Sequence, residues 1–316
     1  MTSRSGTLIQ RSRRLDLEGV DFGAFVDRPL DPATLRCLRY MHDVEHHTMC
    51  YLRDVLVTSA HSDPEVTAFL ACWAYEEHWH GEAIARILDV HGEGAGPDRV
   101  ASIRRSLPRR DRLRPLLYLV GSSFTPHMVT AHMAWGAVNE WTTQAGYGRL
   151  AARARHPILS ELLRRIMKQE GRHIDFYAAQ ARQRLEHCRL GRHITRTALR
   201  RFWTPVGAGL MPPAEVAFLV QHLFSGAEGA AVAARIDRQI DRLPGLCGLG
   251  LVARVVTSLA NPARPCSPPG ARPDARELLS SDRRQASRPQ RPGSPCSWLP
   301  ADSISTCTSS ATGTSP

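Results

Sequence analysis

The chain has 316 residues, a formal net charge of +11 and eight cysteines. This length is enough to bury a substantial core, and the cysteines lack CxxC spacing, which argues against a disulfide-dependent scaffold. No segment approaches eighteen uninterrupted apolar residues, and the first thirty residues lack the apolar core of a signal peptide. We therefore expect a cytoplasmic protein with free thiols.

Composition divides the chain into three parts. Residues 1–30 are basic and then glycine-containing, and we interpret them as an N-terminal arm that packs on the domain. Residues 31–258 carry the apolar periodicity of a helical domain. Residues 259–316 are rich in Pro, Ser, Arg, Ala and Thr, with too few apolar residues to offset the entropy of ordering. We expect a disordered tail there, with a frameshifted end of a G+C-rich gene as an equal alternative.

Polar caps followed by proline predict four long helices. Their expected starts are Pro32, Pro64, Pro126 and Pro157, and their expected ends lie near Ser59, His91, Arg155 and Cys188. A Pro- and Arg-rich connection, residues 98–123, joins the second helix to the third and is expected to contain one short helix. Short outer helices are predicted over residues 192–202, 213–224 and 228–242, and strand patterning is absent.

Two of the long helices carry the same pair of residues on an otherwise apolar face. Glu77 and His80 form a Glu-x-x-His pair on the second helix, and Glu170 and His173 repeat it on the fourth. An unpaired carboxylate at such a position would be costly to bury. The neighbouring Glu76 is expected on another side of its helix. One such pair alone has little weight, because Glu and His are common at this spacing on surfaces.

Single glutamates on the first and third helices extend the pattern. Glu45 lies 32 residues before Glu77, and Glu140 lies 30 residues before Glu170. Two helices that each offer a glutamate, with two that each offer Glu-x-x-His, match the ligands of a di-iron or di-manganese carboxylate bundle. Four carboxylates offset the charge of two divalent ions, and each imidazole fills one position on one ion. Ion-paired core residues are the alternative.

These motifs resemble those of the soluble acyl-[acyl-carrier-protein] desaturases of the ferritin-like superfamily. EEHWHG (76–81) is similar to the EENRHG of that family, EGRHIDFY (170–177) to its EKRHETAY, and NEWTTQAGYGRLA (139–151) to its third-helix segment. The resemblance covers roughly residues 35–186. It implies an all-α fold, a ferritin-like four-helix bundle with a long crossover connection and additional short outer helices.

The resemblance also implies a set of site residues. The metal ligands would be Glu45, Glu77, His80, Glu140, Glu170 and His173. Thr143 matches a catalytic threonine beside the oxygen-binding face, although a hydroxyl bonded to a backbone carbonyl is the alternative. Gln169 stands where the family has a carboxylate, and Glu82 stands where it has an aspartate. Neither departure removes a ligand, but an amide makes the imidazole that it holds less basic.

By this resemblance we expect an oxygen-dependent desaturase of fatty acid biosynthesis that acts on an acyl chain carried by acyl carrier protein. Its cofactor would be two iron ions, with manganese as an alternative in one position. An apolar slot would hold the chain, with Met133, Gly136, Ala137 and Trp141 either lining it or packing helices together.

The expected partners are acidic. Acyl carrier protein and a ferredoxin-type electron donor would dock on basic clusters at residues 104–114 and 192–201. A homodimer is expected, and a nucleic acid partner is not. Two alternatives remain: another ferritin-like di-metal oxidase or N-oxygenase acting on a small molecule, and a non-catalytic metal-binding protein of the same fold.

Overall fold

The computed structural model describes residues 10–107, 109–125 and 127–260. Over these ranges the chain forms helices and no strand, apart from one isolated bridge, which confirms the all-α class. The helices are α1 Ala24–Asp27, α2 Pro32–Leu56, α3 Pro64–Val90, α4 Pro97–Ser106, α5 Arg109–Phe124, α6 Met128–Ala154, α7 Pro157–Glu186, α8 Arg189–Phe202, α9 Pro213–Phe224, α10 Gly226–Asp241 and α11 Leu251–Ala260. The tail expected at 259–316 lies outside the described residues from position 261 onward.

The starts of α2 and α3 follow the predicted cap chemistry, whereas α6 begins at Met128 after His127, which makes no side-chain cap bond, and not at the predicted Pro126. The Asp31 carboxylate accepts the first backbone N–H groups of α2, and Asp63 does the same for α3. In each case proline occupies the first helical position, where a backbone N–H would have no acceptor within the helix, so the N–H that proline lacks is not missed. Arg155 adopts a left-handed conformation at the end of α6. Only Arg155 and His156 separate α6 from α7, so these two helices run antiparallel.

The four long helices, α2, α3, α6 and α7, surround one hydrophobic core. Helix α2 packs along α3 and α6 packs along α7, while α3 also contacts α7 and α2 contacts α6. Side chains from all four helices are fully buried between them, including Leu38, Leu70, Met133 and Leu163. This arrangement brings the predicted ligand-bearing faces of all four helices toward the same interior.

The shorter helices differ from the sequence expectation in two places. The connection between α3 and α6 contains two helices, α4 and α5, where one was predicted. Helix α11 was not among the predicted outer helices. The Asp237 carboxylate of α10 accepts from the backbone N–H groups of Val252 and Ala253 and so caps α11 from a distance. Sequence periodicity alone does not reveal such a tertiary cap.

Within the described ranges, none of the helices alone combines the length and the apolar composition that a membrane crossing requires. Helices α9 and α10 meet that requirement only as a pair, and they are bent by 101° relative to each other.

The described part of the N-terminal arm lies against the long helices. Leu15 and Phe25 are buried, and the Phe25 ring stacks on His156 at a centroid distance of 4.6 Å. The Arg13 backbone donates to Glu76 on α3 and accepts from Gln169 on α7. The arm therefore covers the polar ends of the Glu76 and Gln169 side chains.

Candidate metal centre

All six predicted ligands lie in the interior between the long helices. Helix α2 supplies one, α3 two, α6 one and α7 two: Glu45, Glu77, His80, Glu140, Glu170 and His173. None of them is more than 5% exposed. Four carboxylates buried this deeply require positive partners, because an isolated buried charge is costly. Two imidazoles are too few to balance four carboxylates.

The six residues divide into two groups of four that share two members. Glu45, Glu77, His80 and Glu170 form one group, and Glu77, Glu140, Glu170 and His173 form the other. Within each group the ligand atoms all lie within 4.8 Å of one another. Each group combines three carboxylates with one imidazole. The shared residues, Glu77 and Glu170, lie where carboxylates would bridge two cations.

Unpartnered atoms in these residues test whether the site fits metal ions. In the described part of the chain, Glu77 Oε1, His80 Nδ1 and Glu170 Oε1 are buried without a hydrogen-bond partner. His80 Nδ1 lies 3.3 Å from Glu170 Oε1, yet the two atoms do not form a hydrogen bond. Each unsatisfied polar group costs about 1–3 kcal/mol. Divalent cations would satisfy these atoms, so the residues fit a two-metal site.

The two histidines are oriented by contacts on their outer nitrogens. His173 Nε2 lies 2.8 Å from Glu76 Oε2, and His80 Nε2 lies 2.9 Å from Gln169 Oε1. The Gln169 amide group donates to the Arg13 carbonyl oxygen, which turns its own oxygen toward His80. An Nε2–H donated outward leaves Nδ1 as the ligand atom. Glu76 therefore participates in the site, contrary to the expectation that it faces elsewhere.

Two further side chains hold the glutamates that are not shared. The Tyr147 hydroxyl donates to Glu45 Oε1, and Trp73 Nε1 donates to Glu140 Oε1 at 2.8 Å. Both donors are buried. Each leaves the second carboxylate oxygen of its glutamate for another partner. Sequence reasoning identified neither contact, although Trp73 lies one turn before Glu77 on the same helical face.

Burial and mutual repulsion dominate the electrostatics of the metal-free site. Burial, followed by the charges of neighbouring glutamates, raises the pKa values of Glu45 and Glu140 well above the usual range. For Glu77, burial acts in the same direction, but close contacts with Glu45, His173 and His80 hold its pKa well below that range. Burial opposes protonation of His80, yet contacts with Glu170 and Glu77 raise its pKa to about 9. Metal-free, the site therefore retains protons that cations would displace.

A cavity of about 490 Å³ opens directly onto the candidate metal centre. Glu45, Glu77 and Glu140 form part of its wall, and Thr143 lines it beside them. In the described residues Thr143 makes no bond to the carbonyl one turn back, whereas the Thr142 hydroxyl donates to Asn139. The catalytic role of Thr143 stays a prediction.

A narrower cavity of about 80 Å³ adjoins the first one. The two share Glu45 and Thr143, and the second continues between α2, α6 and the outer helices α9 and α11. Its remaining lining is almost entirely apolar, including Trp203, Leu219, Leu223, Phe224, Val252 and Val255. The candidate metal centre thus lies beside two adjoining cavities, the smaller of which has a mostly apolar lining.

Only one of the four residues suggested for a slot beside the metals lines this space. Gly136 belongs to the wall of the larger cavity. Met133 and Ala137 are fully buried in the core, and Trp141 lines a separate surface depression. Periodicity placed these residues on neighbouring faces of α6 but did not distinguish a cavity wall from a helix contact.

Comparisons with known proteins return no relative. No protein-family model matches this chain, and neither a curated protein nor a solved structure matches it.

Proposed function

We propose that the chain is a ferritin-like di-metal oxidase whose cofactor is two iron ions, with manganese as an alternative in one position. The observation that carries the proposal is the pair of four-ligand groups sharing Glu77 and Glu170. Carboxylates that bridge two ions hold them about 3.5–4 Å apart, which is typical of two-metal sites. When bound, such a pair reacts with O2 and supplies the oxidising power.

Fatty acyl desaturation is the activity that we favour, on the resemblance of the motifs and on the shape of the cavities. A long methylene chain is apolar, and the narrower cavity offers it an apolar lining beyond the metal ligands. An acyl chain that passes from the wide cavity into the narrow one would lie beside Glu45 and Thr143. The position of the double bond would then depend on how deeply the chain enters.

The chain's own residues have three tasks in this proposal. Trp73 and Tyr147 hold Glu140 and Glu45 so that these carboxylates keep fixed orientations. The apolar walls exclude water from the carbons that react. The Thr143 hydroxyl, beside the ligands, would hold a proton close to the site of oxygen reduction.

Acyl carrier protein is the proposed carrier of the substrate, and a ferredoxin-type protein is the proposed electron donor. Helix α8 lines the wide cavity through Ile194, Ala198 and Phe202. The same helix ends with the exposed Arg200 and Arg201. An acidic carrier protein on these arginines would deliver its acyl group close to the cavity. A cytoplasmic location and a homodimer belong to the same proposal.

Polar groups in the wide cavity favour a second candidate, a di-metal oxidase or N-oxygenase that acts on a small polar molecule. His132 Nε2 and the Tyr177 hydroxyl are buried, line this cavity and have no hydrogen-bond partner among the described residues. A hydrocarbon chain would leave both unsatisfied. A substrate with its own polar groups would pair with them.

Metal analysis followed by lipid analysis tests the proposal. After anaerobic iron loading, we expect two iron ions per chain in wild type and fewer in Glu140→Ala, with Glu161→Ala on the surface of α7 as the matched control. Less than one ion per wild-type chain would refute the metal centre. Cells that express wild type should contain unsaturated acyl chains that Glu140→Ala cells lack. Two bound ions with identical lipids in both strains would retain the metal centre and favour the small-molecule oxidase.

A further inference from the structure

A second group of metal-binding side chains lies outside the candidate di-metal centre. His46 on α2 and His78 and Glu82 on α3 place one ligand atom each within 4.8 Å of one another. None of the three belongs to the six-ligand set. His46 follows a predicted ligand of α2, and His78 follows one of α3, so both point away from that interior.

The backbone of α3 is shaped to admit the His46 ring. His78 and Glu82 are four residues apart and therefore lie on one face of the helix. Between them, Gly81 leaves the space that the ring occupies, since an added Cβ would lie 2.7 Å from His46 Nε2. His46 Nε2 lies 3.7 Å from Glu82 Oε1. Ligands of one tetrahedral ion lie roughly 3.4 Å apart, given metal–ligand bonds near 2.1 Å.

A buried histidine packs beside this group and holds the His46 ring. The His42 ring lies against the His46 ring at a centroid distance of 4.6 Å. Its Nδ1 is 2.9 Å from Asp43 Oδ1, and Arg99 binds the same carboxylate through two nitrogens. His42 Nε2 is buried without a partner in the described part of the chain. A carboxylate that fixes the Nδ1 proton leaves Nε2 as a lone-pair donor, as in metal-binding histidines.

We propose that His46, His78 and Glu82 bind a third divalent ion of the zinc type. Two imidazoles and one carboxylate suit zinc better than calcium or magnesium, which prefer oxygen ligands. The exposed His78 and half-exposed Glu82 give an ion access from solvent. Arg104 donates to the His46 carbonyl oxygen rather than to a ligand atom, so it does not occupy the site.

Zinc binding measures the proposed site directly. Equilibrium dialysis of the full chain against Zn²⁺ should give three ions per chain for wild type. His78→Ala and Glu82→Gln should each bind one ion fewer, whereas the control His193→Ala, an exposed histidine on α8, should bind as many as wild type. Circular dichroism checks that each variant is folded. Equal zinc counts for wild type and His78→Ala would overturn the proposal.

A second background separates this site from the di-metal centre. In Glu140→Ala, zinc bound by the di-metal centre should decrease, but adding His78→Ala should still remove one further ion. If His78→Ala changes the count only when Glu140 is intact, the lost ion belongs to the di-metal centre and the third site is refuted. Loss of zinc in Glu140→Ala alone leaves the third site standing, so failure of the two proposals is distinguishable.

Discussion

The two histidines of the candidate metal centre have different outer partners, and this difference predicts unequal metal affinities. His173 contacts the Glu76 carboxylate, whereas His80 contacts the neutral Gln169 amide. A carboxylate makes an imidazole more basic than an amide does and so strengthens its bond to a metal. We expect the first ion to bind in the group that contains His173 and the second in the group that contains His80.

Glu76→Gln removes the charge while keeping an acceptor of nearly the same shape. The Glu76 carboxylate has three partners in the structure, namely His173, Arg172 and the Arg13 backbone N–H. These contacts outweigh burial and hold its pKa below the usual range, so it is ionised at neutral pH. Loss of such an outer contact typically lowers metal affinity 10–100-fold, or about 1.4–2.7 kcal/mol.

Stepwise titration with Co²⁺ against a competing chelator, in a His78→Ala background that lacks the third site, resolves the two binding events of the di-metal centre. In Glu76→Gln the tighter step should weaken 10–100-fold, and the weaker step should change by less than about threefold. The reciprocal variant Gln169→Glu should strengthen the weaker step by a similar factor. An unchanged tighter step in Glu76→Gln, or a weakened second step in Gln169→Glu, would show that the outer contacts do not control affinity.

Two further predictions concern packing and protons. In Gly136→Ala the added Cβ would lie 2.4 Å from the buried Tyr177 ring. Because this overpacking costs more than the gain in helix propensity, the free energy of unfolding measured in denaturant should fall by about 1–2 kcal/mol. Gly146→Ala on the same helix, with its nearest contact at 3.7 Å, should be stabilising, and equal losses in both variants would contradict this reasoning. Metal affinity should rise between pH 6 and 9, because Glu45 and His80 have raised pKa values and must release protons to bind cations. Calorimetry in buffers of different ionisation enthalpy counts the released protons. A metal affinity that does not change with pH would contradict the assignment of Glu45 and His80 as ligands.

Helical periodicity and caps were sufficient to predict most of the fold. Asp31 and Asp63 followed by proline mark the starts of α2 and α3, and the structure has those starts. The positions of the six buried Glu and His residues were predictable. A carboxylate on an apolar helical face is costly to bury, so its presence there stands out, and the same pattern occurs twice along the chain at similar spacing. Local sequence therefore specified these six inward-facing side chains.

Contacts between helices were not predictable in the same way. Whether Glu76 is a surface residue or a partner of His173 depends on how α3 packs against α7, which periodicity along one helix does not encode. The sequence did contain a usable signal, because Glu76 and Gln169 each immediately precede a Glu-x-x-His pair. The contact between Tyr147 and Glu45 joins α6 to α2 and had no such local signal.

The outer contacts join the N-terminal arm to helices α3 and α7 in a symmetric pattern. The residue before each shared glutamate holds the histidine of the opposite helix, so Glu76 of α3 positions His173 and Gln169 of α7 positions His80. Each histidine is thereby fixed by the helix that it faces. Sliding α3 against α7 would break both contacts and separate both pairs of ligands. Because the Arg13 backbone binds Glu76 and Gln169 together, the N-terminal arm stabilises the same register from outside.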